Sequence, residues 1–146
     1  MTIDAIALWH KRARPNPDER ALNVQLGCHL EEVAEMLQTL AADDARSRNR
    51  LATLLFQILT AADALKAGEM NLYIDEPIPF IDSIADQVVT AIGVAHCANM
   101  KAVEAIDIVN SSNWSKFDEN GTPYFDANGK VKKGPRYNAP DLRGCV

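Results

Sequence analysis

At 146 residues, 47% hydrophobic and 24% charged, the chain has the size and composition of one globular domain and lies outside the disordered and collagenous ranges. Its net charge of -5 argues against a general affinity for nucleic-acid backbone, which needs clustered Lys and Arg. Cys28, Cys97 and Cys145 are odd in number without metal-type spacing, no charged-then-apolar leader opens the chain, and the apolar stretch 84–98 is interrupted by Asp86, Gln87 and His96. These features lead us to expect three free thiols in a cytoplasmic protein with no membrane span.

Thr2 is placed to cap a short first helix, 3–11, which the segment Arg14-Pro15-Asn16-Pro17-Asp18 ends with two prolines. From about 20 to 42, Leu22, Leu26, Leu30, Val33, Leu37 and Leu40 recur at spacings of three and four, the period of an amphipathic helix. Asp43 and Asp44 separate it from a third helix, in which Leu51, Leu54, Leu55, Ile58, Leu59, Ala62 and Leu65 keep that period until Gly68. The two should pair as a helical hairpin. The segment 69–79, with two prolines, reads as a loop before a fourth helix over 80–99 and a fifth over 100–111. Beyond Trp114, glycines and prolines among Lys, Arg, Asp and Tyr predict an irregular tail with a short hairpin over 122–131. The class is therefore all-α: a bundle of four to five helices over 1–114 and a tail over 115–146.

Glu31, Glu32 and Glu35 fall within an arc of about 100° on the strongest predicted helix, with Cys28 on the same side. Oxygen ligands in such a stripe suit Mg²⁺, which keeps waters and bridges to substrate phosphates, although a solvated helix face has the same pattern. Asp82 and Asp86 stand four apart among Ile81, Ile84, Ala85, Val88, Val89 and Ile92. Like charges at that spacing repel, and carboxylates in so apolar a helix need a cation or hydrogen-bonding partners. The two groups together point to a metal site.

Glu31-Glu32-x-x-Glu35, the acidic fourth helix and Asn113-x-Ser115-Lys116-Phe117 follow one another in an order that resembles the all-α NTP pyrophosphohydrolase superfamily. That superfamily includes MazG, the dimeric dUTPases and phosphoribosyl-ATP pyrophosphohydrolase. The tail from Asp126 through Lys130, Lys133 and Tyr137 to Asp141 looks like the ending of a small MazG-like, phage-type group with members specific for dGTP or GTP, the MazZ-like kind. Ser83 stands where the family's second motif carries a Glu.

The resemblance implies a MazG-like bundle that cleaves the α-β phosphoanhydride of a nucleoside triphosphate, giving the monophosphate and pyrophosphate, in the host cytoplasm if the protein is viral. Glu32, Glu35 and Asp86, with Asp82 assisting, would hold two or three Mg²⁺ or Mn²⁺ ions, and Glu31 would orient or deprotonate the attacking water. Lys130, Lys133 and Tyr137 would grip phosphate oxygens as the tail folds over the site, with Asn113 and Lys116 at its root and Gln25 near the base. Trp9 suits the core better than a stacking platform. Wide apolar faces on short helices predict a homodimer or homotetramer, with a nucleotide as the other partner and neither nucleic acid nor membrane. Two alternatives remain open: a housecleaning or alarmone hydrolase using the same metals, and a non-catalytic helical nucleotide sensor, favoured by Ser83.

Overall fold

The computed structural model describes residues 2–146, apart from the side chain of Thr2, so the expected Thr2 cap lies outside the described residues. Among these residues the fold is all-α, with five helices: α1 (Thr2–Ala13), α2 (Glu19–Gln38), α3 (Ala45–Ala67), α4 (Pro77–Cys97) and α5 (Ala102–Trp114). Two short strands, β1 (Tyr124–Phe125) and β2 (Val131–Lys132), pair antiparallel, and a 3-10 turn, Arg143–Cys145, closes the chain.

Local chemistry sets the helix limits. Asp18 caps α2 by accepting from the Ala21 amide at 2.7 Å, and Asp44 caps α3 by accepting from the Ser47 amide at 2.8 Å. Gly68 ends α3 in the left-handed conformation, φ 81°, that favours glycine. The second helix stops at Gln38, short of the expected 42, where the Thr39 hydroxyl donates back to the Met36 carbonyl at 2.7 Å. The fourth starts three residues before its expected position, because Pro77 at the first helical turn needs no amide partner.

The chain packs as two compact units, one comprising the segment up to Asn16 with Ile74–Phe125 and Val131–Val146, the other Pro17–Tyr73 with Asp126–Lys130. In the first, Trp9 stacks on Phe117 with centroids 5.4 Å apart and donates its indole N–H to the Asn113 carbonyl at 2.9 Å. Trp9 is thus committed to packing. Ser112 donates to the Asn138 carbonyl at 2.7 Å, and the Lys101 amide donates to the Cys145 carbonyl at 2.9 Å, so these stretches of the tail are held against α5. The three cysteines are free thiols.

The second unit is built on the antiparallel pairing of α2 and α3, which bury Ala21, Val24, Ala34, Ala62 and Leu65. Small residues dominate this list, so the helices approach closely. The limit is reached at Gly27, where an added Cβ would lie 2.7 Å from the Ala62 carbonyl oxygen and 2.8 Å from Cγ of Lys66. Asn23, fully buried, donates from Nδ2 to the Glu19 and Leu72 carbonyls and accepts from the Leu72 amide at 2.7 Å, pinning the chain after α3 to α2. Arg20 donates to the Leu65 carbonyl at 2.8 Å and also to that of Lys66, satisfying the open end of α3.

Gly27→Ala would add about 1 kcal/mol of helix propensity but overpack the contact by about 1–3 kcal/mol. The variant is expected to unfold at lower urea with an unchanged slope; a midpoint at or above that of the parent would contradict the close approach of α2 and α3.

Candidate functional site

The second unit gathers its charged groups at one place on α2. Glu31 is half-buried there, and both its oxygens are engaged: Oε1 accepts from Nζ of Lys66 at 3.0 Å and Oε2 from Nζ of Lys130 at 2.6 Å. Lys66 also pairs with Asp63, one turn earlier on α3, at 3.0 Å. Its side chain is only 16% exposed, and its stem passes over Gly27, which has no side chain to block the path. Close packing at Gly27 and capping by Arg20 therefore deliver Lys66 to Glu31.

A turn delivers Lys130. Asp126 accepts with Oδ1 from the amides of Asn128 and Lys130, both at 2.9 Å, while Gly129 takes φ 80°. The same sequence pattern occurs eight residues earlier, where Asp118 accepts from the amides of Asn120 and Thr122 at 2.9 and 2.7 Å and Gly121 takes φ 73°. The chain thus uses one Asp-x-Asn-Gly-x turn twice, and the second copy carries a lysine in its fifth position.

Glu31, Asp63, Lys66, Ala67, Asp126, Asn128 and Lys130 line a cleft of about 410 Å³. A larger hollow of about 620 Å³ borders α3 alone, between Ala45 and Gln57, and draws no second element to it. The smaller cleft combines groups from α2, α3 and the turn, and that convergence makes it the candidate.

The hydrogen bond from Lys130, together with that from Lys66 and against the opposing effect of burial, holds the Glu31 carboxyl below its ordinary 4.5. Lys130 is raised above 10.5, chiefly by its bond to Glu31. Burial would lower Lys66, but its bonds to Glu31 and Asp63 outweigh that effect and raise it. Burial also raises the Cys28 thiol against the pull of Lys130, which leaves it protonated and a poor nucleophile at neutral pH. Each Glu31 oxygen retains acceptor capacity, so it can still orient a water; removing a proton from that water would oppose two ammonium groups.

The other expected site residues are placed as follows. Glu32, Glu35 and Gln25 are exposed on α2. Asp82 and Asp86 are exposed on α4, one turn apart, in the first unit with Asn113, Lys116, Lys133 and Tyr137. Lys133 lies over the Tyr137 ring, 4.7 Å from its centroid, and the Asn113 carbonyl accepts from Trp9. Of the residues expected at the site, Lys130 and Glu31 are joined directly, through an ion pair that was not itself expected. Lys66, Asp63, Asp126 and Asn128 were not expected; the recurring turn was visible in the sequence, whereas Lys66 in the last turn of α3 carried no signal.

Among the described residues of the second unit no three His, Cys, Asp or Glu side chains converge as a ready-made metal cage. Glu32 and Glu35, carboxylates a turn apart and open to solvent, still suit Mg²⁺, which is usually held by one or two carboxylates with waters and substrate phosphates. Comparison with protein-family models, curated proteins and solved structures finds no match.

The pairing makes stability depend on pH in a defined direction. Glu31, lowered on folding, contributes above its ordinary 4.5 and loses that contribution as pH falls through its folded value. Lys130, raised on folding, contributes fully below 10.5 and loses it above its folded value. The stability difference between the parent and Lys130→Met, followed by urea denaturation, should be flat between about pH 6 and 9 and shrink below pH 4.5. A difference independent of pH down to about 3 would rule out the pairing.

Proposed function

We propose that the chain is a metal-dependent nucleoside triphosphate pyrophosphohydrolase, releasing a monophosphate and pyrophosphate. The observation that supports it best is the 2.6 Å pairing of Lys130, from the C-terminal tail, with Glu31 of the Glu-Glu-x-x-Glu motif at the wall of a cleft. A basic tail segment joined to an acidic helix suits phosphates that arrive with a cation. Glu32 and Glu35 would hold Mg²⁺ or Mn²⁺, with Asp86 and Asp82 assigned to the same role by the order of the motifs along the sequence. A bound divalent cation would neutralise phosphate charge and make a bound water more acidic. Glu31 would orient that water and Lys130 would bind phosphate oxygens, while Gln25, Asn113, Lys116, Lys133 and Tyr137 are assigned substrate contacts by the resemblance of the motifs along the sequence alone. Preference for dGTP or GTP belongs to the same proposal.

A non-catalytic nucleotide sensor is the second reading. It is favoured by Ser83 in place of an acidic residue and by the two lysines that hold Glu31 away from proton transfer.

We also propose that the protein works as a homo-oligomer through α4, a helix with no buried residue. Ile78, Ile81, Ala85, Val88 and Ile92 recur at alternating spacings of three and four, and Ile78 and Ile81 are 81% and 62% exposed. That spacing is the seam of a two-helix packing, which a second copy related by a two-fold axis can match with the same seam. By length and composition this helix could also cross a membrane. Asp86, near the middle of the helix, would then cost about 2.5–3.5 kcal/mol in a bilayer centre, and Asp82 would add to it, so a protein partner suits the helix better.

Incubation of a panel of ribo- and deoxyribonucleoside triphosphates with Mg²⁺ or Mn²⁺ should yield monophosphate and pyrophosphate from one or a few of them. Glu35→Gln and Asp86→Asn should each lower turnover at least about a hundredfold while leaving the helical content unchanged. Absence of product from every nucleotide would favour the sensor. In sedimentation equilibrium, the parent should be dimeric or larger at micromolar concentration and Ile81→Asp should shift it towards monomer; a monomeric parent would remove α4 as an interface.

A further inference from the structure

The cleft of the second unit is lined by three carboxylates, Glu31, Asp63 and Asp126, and by two ammonium groups, Lys66 and Lys130. A bare anion entering it would meet an excess of carboxylates, and a bare cation would meet two ammonium groups. The matching ligand carries both signs, as a phosphate chain does when it is complexed with a divalent cation.

We propose that Lys66 and Lys130 form a paired phosphate grip, held apart by the two oxygens of Glu31, and that this cleft takes the pyrophosphate portion of a Mg²⁺-bound ligand. The choice of pyrophosphate rests on the hydrolase reading; the grip itself rests on the geometry. An ammonium group has three N–H donors. Lys66 spends two of them, on Glu31 and Asp63, which leaves one for a ligand. Lys130 spends one, on Glu31, which leaves two. Neither lysine has to abandon its partner to bind phosphate, so the grip is organised in advance and little side-chain entropy is lost on binding. Lys66 is the fixed half, enclosed over Gly27 on a capped helix; Lys130, 41% exposed on a turn, is the half that meets solvent first.

Glu31 is therefore a strut in this site. A carboxylate between two ammonium groups prevents their repulsion from spreading them and holds each at its own oxygen. Its role in binding is to place the lysines.

The test is calorimetric titration of inorganic pyrophosphate, in excess Mg²⁺, into the full chain and into Lys66→Met and Lys130→Met. Each variant removes charge-assisted hydrogen bonds to phosphate and should weaken binding by about tenfold or more, with the circular dichroism spectrum unchanged. Lys130, on an exposed turn, can be replaced without disturbing the helical pair, so it serves if Lys66→Met fails to fold. Either folded variant binding as tightly as the parent, or a parent that does not bind Mg²⁺-pyrophosphate at all, would overturn the grip. Its failure is separable from that of the hydrolase reading. Triphosphate cleavage with pyrophosphate affinity unaffected by both variants would remove the grip and keep the enzyme; lysine-dependent pyrophosphate binding without cleavage of any triphosphate would do the reverse.

Discussion

The second unit depends on how closely α2 and α3 can approach at Gly27. A helix carrying a side chain at that position could not lie against the Ala62 carbonyl, and the stem of Lys66 could not pass over it to reach Glu31. Glycine weakens a helix interior by roughly 1 kcal/mol, which the alanine-rich contact it permits must offset. The surrounding polar groups support the same contact. Arg20 closes the end of α3 and Asn23 fixes the chain that leaves it, and both belong to α2. One helix therefore supplies the packing surface, the cap and the clamp for the next.

A half-buried Lys-Glu-Lys chain is expensive to desolvate, and buried ion pairs often add nothing net to stability. Here the arrangement lowers that cost: Glu31 retains 24% exposure, Lys130 stays partly in water, and Asp63 takes a further donor from Lys66. Such a chain costs less than an isolated buried charge and holds three ionised groups in fixed relation. It ties the turn at 126–130 to α2 across ninety-nine positions of sequence, a contact made by the side chains of Lys130 and Glu31.

Much of the helical pattern was legible because it depends on short-range chemistry. The leucine period and Gly68 located α2 and α3, and Asp44 marked the start of α3. The misplaced limits share a cause, in that local hydrogen bonding overrode the apolar period: Thr39 folded back before Leu40, and Pro77 opened α4 before the apolar residues began. For the site, the sequence showed that Glu31 and Lys130 were chemically suited, but their meeting is a tertiary event. Lys66 was illegible for the same reason. A lysine in the last turn of a helix ordinarily complements the helix dipole and points into water, and only the proximity of Gly27 redirects it.

The repeated turn shows what distinguishes the site from ordinary tail structure. Asp118 and Asp126 fold their following residues by the same two hydrogen bonds, and Gly121 and Gly129 adopt nearly the same φ. A turn needs only the Asp, the Asn and the Gly, so its fifth position is not constrained by folding. One copy puts Thr122 there, the other a lysine whose ammonium group lies 2.6 Å from a helix carboxylate. Since the backbone chemistry is equal in the two copies, turn formation cannot account for the choice of Lys130. What differs is the partner: Glu31 shares Lys66 with Asp63, so one ammonium group faces two carboxylates before Lys130 arrives. Lys130 brings these two carboxylates and two ammonium groups to balance, and it does so with N–H donors left over beside Glu31, which phosphate oxygens complexed with a divalent cation can accept.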